Sequence, residues 1–266
     1  MSADVSAGMS ADVSAGMSAD VSAGTSADVS AVIDGSRILA ALAKVRDPEL
    51  DEPITALGFV ASCAVSADGH ATVRLRLPTY FCAPNFAFLM VADAHDVVSA
   101  MEGVRRAEVV LVDHFAAEAI NGGVAARAGF ERSFPGEATG ELDRLRADFL
   151  RRAVLAGTDQ VCRAVLATGT EAAGPAALAG LRLGDVPHSR ELDRLRDRRA
   201  ELGLPAGDDA PLLIDPATGE PVGPDEAAPH LRRARTMRVG IEANTGICRG
   251  MLRHRYQDQG EGEEER

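Results

Sequence analysis

Tryptophan is absent from this 266-residue chain, tyrosine occurs twice, and aromatic residues together make up 4%. Lysine is almost missing too: of 28 basic residues only Lys44 is a lysine. Positive charge is in deficit, with 28 basic against 40 acidic residues and a formal net charge of −12. That balance argues against non-specific nucleic-acid binding and against docking on an anionic membrane, because both need a positive field. No stretch approaches the roughly 20 apolar residues of a membrane-spanning helix. Four cysteines in a chain this long form no disulfide framework, so a reducing cytoplasm is the expected compartment. The sequence holds no Walker P-loop, no strand-linked GxGxxG, no HExxH and no GxSxG. Nucleotide hydrolysis, dinucleotide redox chemistry and α/β-hydrolase chemistry therefore lack their usual signatures. Nor is there a CxxC pair for thiol redox catalysis. No catalytic residues are assigned, and the protein reads as a non-enzyme.

What is present divides the chain by composition. Residues 1–31 repeat an octapeptide, MSADVSAG three times and then TSADVSA. The repeat has too little apolar surface to offset its chain entropy, so residues 1–35 are expected to be a disordered tail. It has neither the basic start nor the apolar stretch of a signal peptide. From Ser36, a candidate N-cap, Ile38, Leu42 and Val45 share one helical face, and Pro48 is expected to end that helix. A first strand follows with Phe59, Ala61, Cys63 and Val65 on one face. Asp68-Gly69 marks a tight turn, and a second strand points Ala71, Val73, Leu75 and Leu77 inward. Pro84 opens a second helix carrying Phe86, Leu89, Met90, Val97 and Met101, up to Gly103. A third strand spans 107–112. The predicted fold class is α/β: a small two-layer module, helix-strand-strand-helix-strand, over residues 36–115.

Cys82 stands just ahead of the second helix. Free N–H groups and the helix dipole at that end favour an anion, so a thiolate there is a better nucleophile or metal ligand. The alternative is a small buried hydrophobe, the fate of most single cysteines. Cys63 shares the core face with Phe59 and Val65 and reads as packing.

The run from Ile38 to Val60, with Asp47, Pro48, Glu49, Ile54, Leu57 and Gly58, resembles the opening of the PaaD/SufT-like iron–sulfur cluster assembly domain family. Thr79 and Cys82 fall where that family has a Thr-rich strand end and a cysteine before the second helix. Val109 to Val112 is similar to its last strand. The chain departs from the family pattern at Ala56, where an Asp is usual, and at Tyr80, Phe81 and Ala83, where smaller residues and a proline flank the cysteine.

The resemblance implies a factor that assembles, carries or targets a transient iron–sulfur cluster to a client iron or iron–sulfur enzyme. Cys82 would be the cluster and metal ligand and Thr79 its neighbour. Such clusters prefer thiolates, and one cysteine per chain holds none alone, so a homodimer or a client complex is implied. Asp47, Glu49 and His114 are possible supporting residues. Turn chemistry is the plainer role for the two acids, and a surface location the plainer one for His114. The alternative function is a non-catalytic adaptor subunit, for instance of an iron-dependent oxygenase, that keeps the fold without cluster chemistry.

Beyond the module, the glycines of residues 116–140 suggest a linker. Residues 141–260 read as a mostly helical extension, with one helix ending near Gly157, another broken at Gly169, and a third capped by Ser189. Residues 212–222 suggest a strand and tight turn. A basic helix carrying Arg232, Arg233, Arg235 and Arg238 follows, its arginines expected to form local ion pairs, and 261–266 is an acidic tail. Cys162, His188, His230, Cys248 and His254 lie here, without the paired spacing of zinc sites.

Overall fold

The computed structural model describes residues 34–135, 141–167 and 174–257; the N-terminal repeat and the acidic tail lie outside them. Helix α1 (Gly35–Leu42) has its N-cap two residues before the predicted one. Asp34, not Ser36, is the N-cap, and its Oδ1 accepts from the Arg37 amide at 3.0 Å and from the Ser36 hydroxyl at 2.7 Å. The helix ends at Leu42, well before Pro48, which sits in a loop closed by the Arg46–Pro53 bridge. Ile38 and Leu42 are fully buried, each contributing about 1.5–3 kcal/mol from area removed from water.

The sheet has the order β1-β2-β3: β1 (Val60–Val65) is antiparallel to β2 (His70–Leu75), which is parallel to β3 (Arg106–Leu111). A bulge between Val60 and Ser62 breaks the simple alternation of β1. Ala61 is thrown outward while Phe59, Cys63 and Val65 stay on the core side, so the predicted four-residue face holds for three. The inward set of β2 is as expected, with Ala71, Val73 and Leu75 buried and Leu77 just beyond it. A parallel pair needs a crossover, and α2 (Pro84–Ser99) supplies it. Helix, strand, strand, helix and strand thus form the two-layer α/β module.

Residues 116–134 are not a linker. They form α3 (Ala117–Ala125) and the single-turn α4 (Phe130–Ser133), both packed on the module. Gly123 serves close packing: a Cβ there would meet Ser133 Oγ at 1.8 Å. Helix α5 (Glu141–Ala167) runs unbroken through Gly157, where Leu195 of α7 (Arg190–Glu201) approaches to 3.4 Å of a Cβ position. Between them lie α6 (Pro175–Ala179) and one 3-10 turn. Ser189 caps α7 as predicted, accepting from the Leu192 amide at 3.1 Å. The predicted strand at 212–222 is only a turn held by an Ile214–Pro221 bridge.

The basic helix is one part of α8 (Pro224–Gln257), 34 residues and so roughly 50 Å long. Its first half joins a second apolar cluster built on Val154, Val161, Leu195 and Leu212. Its second half reaches the module, where Leu252 is buried among the module's core residues and Cys248 and Tyr256 pack against them. Arg238 is ion-paired with Asp159 and Glu242, both at 2.6 Å. No described helix is long and apolar enough to cross a membrane.

Candidate functional site

Cys82 lies in the loop between β2 and α2, one residue before the N-cap Ala83, with Pro84 in the first turn. The residue is partly exposed, and its sulfur is 3.2 Å from Thr79 Oγ1. Thr79 also accepts from the Phe81 amide at 3.3 Å, so its hydroxyl organises the turn that presents the thiol.

A second loop supports the first. Asp113, just past β3, adopts a left-handed conformation (φ 54°) that aspartate tolerates better than most residues. The reversal lets Phe115 N donate to Tyr80 O at 3.1 Å and sets His114 against the Cys82 carbonyl at 2.8 Å. His114 is only 5% exposed, so it is not the surface histidine expected from sequence. Burial lowers its pKa, and the nearby Arg255 charge adds to the effect. It touches the backbone of Cys82, not its sulfur.

Asp47 and Glu49 stand on the loop after α1. Asp47 Oδ1 accepts from the Glu49 and Leu50 amides at 2.8 and 2.9 Å, which is turn chemistry. Burial is the larger influence, and Asp47 is pushed up to about 6. The loop is anchored beyond Asp47 by Asp51, whose carboxylate meets Arg198 at 2.6 Å.

Sequence reasoning did not find the part played by α8. Asn244 Nδ2 donates to Glu49 Oε1 at 3.2 Å, and Tyr256 donates to Asp113 Oδ2 at 3.1 Å. Between them on the same helix face lies Cys248, which packs against the module's core. Burial, together with the charges of Asp47, Cys82 and Glu49, pushes its thiol up to about 11. The signal was the four-residue spacing Asn244, Cys248, Leu252, Tyr256, one face of a helix; paired CxxC spacing does not reveal it.

Also unforeseen is an exposed aromatic cluster beside the thiol. Tyr80, Phe81 and Phe115 are 44%, 76% and 49% exposed, with ring centroids 5.0–6.4 Å apart. In a chain with so few aromatics, three open to solvent, two of them on the Cys82 loop, form a distinct apolar patch.

The other cysteines and histidines lie elsewhere. Cys63 donates to Gly35 O at 3.4 Å. Cys162 and His230 are buried in the extension, and His188 pairs with Asp193 on its surface. Among the described residues, no group of three or more His, Cys, Asp or Glu is arranged to hold a metal ion.

The arrangement is a small α/β scaffold with a partly exposed free cysteine on a strand-end loop. Residues 36–110 match the model of a family described as "Iron-sulfur cluster assembly protein", consistent with the PaaD/SufT-like resemblance of this segment. A crystal structure of a domain of unknown function, DUF59, from Bacillus anthracis is similar at 24% identity, covering 36% of this chain and 92% of that one, with a TM-score of 0.28. No curated protein matches the chain.

Proposed function

We propose that this protein is an iron–sulfur cluster or iron-site assembly factor that carries its cargo to a client enzyme, with Cys82 as cargo ligand and Thr79 orienting it. The observation that carries this reading is the family match over residues 36–110 to a segment whose partly exposed cysteine sits on a strand-end loop. Thiolates are the preferred ligands of such clusters. A carrier must also release what it holds, so an open, incomplete ligand set suits it better than a closed four-cysteine cage. The missing ligands come from the client or a second copy of the chain. The client docks on Tyr80, Phe81 and Phe115, because these exposed rings stand on the Cys82 loop and the loop bonded to it. A reducing cytoplasm keeps the thiol available.

Anaerobic reconstitution with iron and sulfide tests this. The expected result is visible absorbance with labile sulfide, abolished in Cys82→Ser. A wild type that stays colourless overturns it. The aromatic patch also favours a second reading, an adaptor without cluster chemistry. That reading predicts a colourless wild type that still captures its client, iron assayed on the recovered complex, and a Phe81→Ala variant that does not.

A further inference from the structure

We propose that the helical extension binds a small amphipathic anion, an apolar chain or ring with a carboxylate or phosphate head, in the cavity between α5, α6 and α8. The cavity lies wholly outside residues 36–110, the matched segment, so nothing in it depends on the cargo reading.

Shape is the first support. The cavity measures about 480 Å³, within the roughly 300–1,000 Å³ of small-molecule sites. All three helices build its apolar wall: Leu166 from α5, Pro175 and Leu178 from α6, and Ala228 and Leu231 from α8. Leu178 is buried in the second apolar cluster and Leu231 packs against that cluster, so the wall is the outer side of a core. Leu166 is 44% exposed. An apolar ligand body laid along this wall removes it from water. No aromatic is among the described lining residues, so nothing there stacks a nucleic-acid base.

Charge is the second support. Arg163 of α5 and Arg232, Arg235 and Arg238 of α8 line the same cavity. Arg238 is committed, its Nε to Asp159 and its Nη1 to Glu242, both at 2.6 Å. The local ion pairs expected of Arg232 and Arg235 do not form. Among the described residues, neither these two side chains nor that of Arg163 has a hydrogen bond or ion pair, and all three are exposed. Asp159 pairs with Arg238 while Leu166 and Leu231 line one cavity, so α5 and α8 run antiparallel here. That direction places Arg163, one turn past Asp159, across from Arg235. Three uncompensated cations thus share a cavity whose one acid among the described lining, Asp159, is already paired. Guanidinium groups match carboxylate and phosphate oxygens with paired hydrogen bonds. A bare inorganic anion uses the arginines and leaves the apolar wall wet; a ligand with both parts uses both.

The test is calorimetric titration of the full-length chain with octanoate and octyl phosphate, against acetate, inorganic phosphate and octanol. Saturable binding of one or both tailed anions is expected at one site per chain, about tenfold or more tighter than any of the other three. A negative heat-capacity change should accompany it, from apolar burial. The tighter of the two tailed anions identifies the head group. The double variant Arg163→Gln/Arg235→Gln should weaken binding about tenfold or more, with no loss of thermal stability, since neither side chain has a partner to lose. Leu166→Asn should weaken the tailed anions while leaving acetate and phosphate unchanged. Arg233→Gln, outside the cavity lining, should bind as wild type. The proposal is overturned by no saturable binding of either tailed anion, or by acetate or inorganic phosphate binding as tightly, which marks an anion site only. Octanol binding as tightly, or affinity untouched by the arginine substitutions, overturns it too, because the arginines then hold no head group. Cluster reconstitution through Cys82 is unaffected by any of these results.

Discussion

The His114 ring bridges two backbone groups, donating from Nε2 to the Cys82 carbonyl at 2.8 Å while Nδ1 accepts from the Ala116 amide at 3.2 Å. An amide can only donate, so Nδ1 is the acceptor and the ring proton lies on Nε2. The neutral ring therefore ties the thiol-bearing loop to the exit of β3. His114→Ala leaves both backbone groups without this partner. The expected cost is about 1–3 kcal/mol in urea unfolding, together with faster alkylation of Cys82. The sign of the pH effect follows from the depressed pKa: stability from the neutral ring is present above the ordinary histidine value and declines as pH falls below it. His114→Ala should flatten that acid limb; an unchanged limb contradicts this account.

Arg255 is the clasp between α8 and the module. It donates to Leu77 O at 3.3 Å and Asp113 O at 2.7 Å, and pairs with the Asp113 carboxylate at 2.5 Å. Arg255→Met keeps the stem and removes the donors. Hydrogen exchange should rise across residues 244–257, with little change in the first half of α8, which is held by the Arg238–Asp159 pair. Equal exchange in the two proteins would show that apolar packing around Leu252 alone holds the helix down.

The module was legible in sequence because its signals are local. Alternation marked β2, Asp68-Gly69 marked the hairpin, and Pro84 marked the start of α2. The bulge in β1 was not legible, since nothing in the residues from Val60 to Val65 distinguishes it from regular alternation. Gly123 and Gly157 read as breakers because sequence does not show that another helix needs the space of their missing side chains. His114 read as surface because its burial depends on the loop reversal at Asp113. The docking of α8 was missed for the same kind of reason: Asn244 and Glu49, which it brings into contact, are 195 positions apart.

Asp47 makes a pH-dependent contribution whose direction is fixed by its burial. With its pKa raised from 3.8 to about 6, the folded protein holds this proton more tightly than the unfolded chain does. The stabilisation is complete below about pH 4 and is lost as pH rises through about 6. Its upper bound is about 3 kcal/mol, at 1.36 kcal/mol per pKa unit. Asp47→Asn keeps an Oδ1 acceptor for the Glu49 and Leu50 amides and carries no charge. Thermal unfolding from pH 4 to 8 should show variant and wild type alike at the acid end, with the variant more stable at pH 7.5. A constant offset across the range would show that Asp47 does not hold its proton unusually tightly.

Gly123 is tied to Ser133 by space alone. A methyl group at position 123 would collide with the Ser133 side chain, at 1.8 Å from Oγ and 2.7 Å from Cβ, with Phe88 close behind at 3.3 Å. Gly123→Ala therefore forces α4 away from α3, and the expected cost is about 1–3 kcal/mol for overpacking, despite alanine's better helix propensity. Ser133→Gly on that background removes the colliding atoms and should recover most of the loss. The comparison is a double-mutant cycle in chemical denaturation, where a positive coupling of similar size is the expected readout. If the second change brings no recovery, the damage comes from Phe88 rather than from Ser133, and α4 is not what requires glycine at 123.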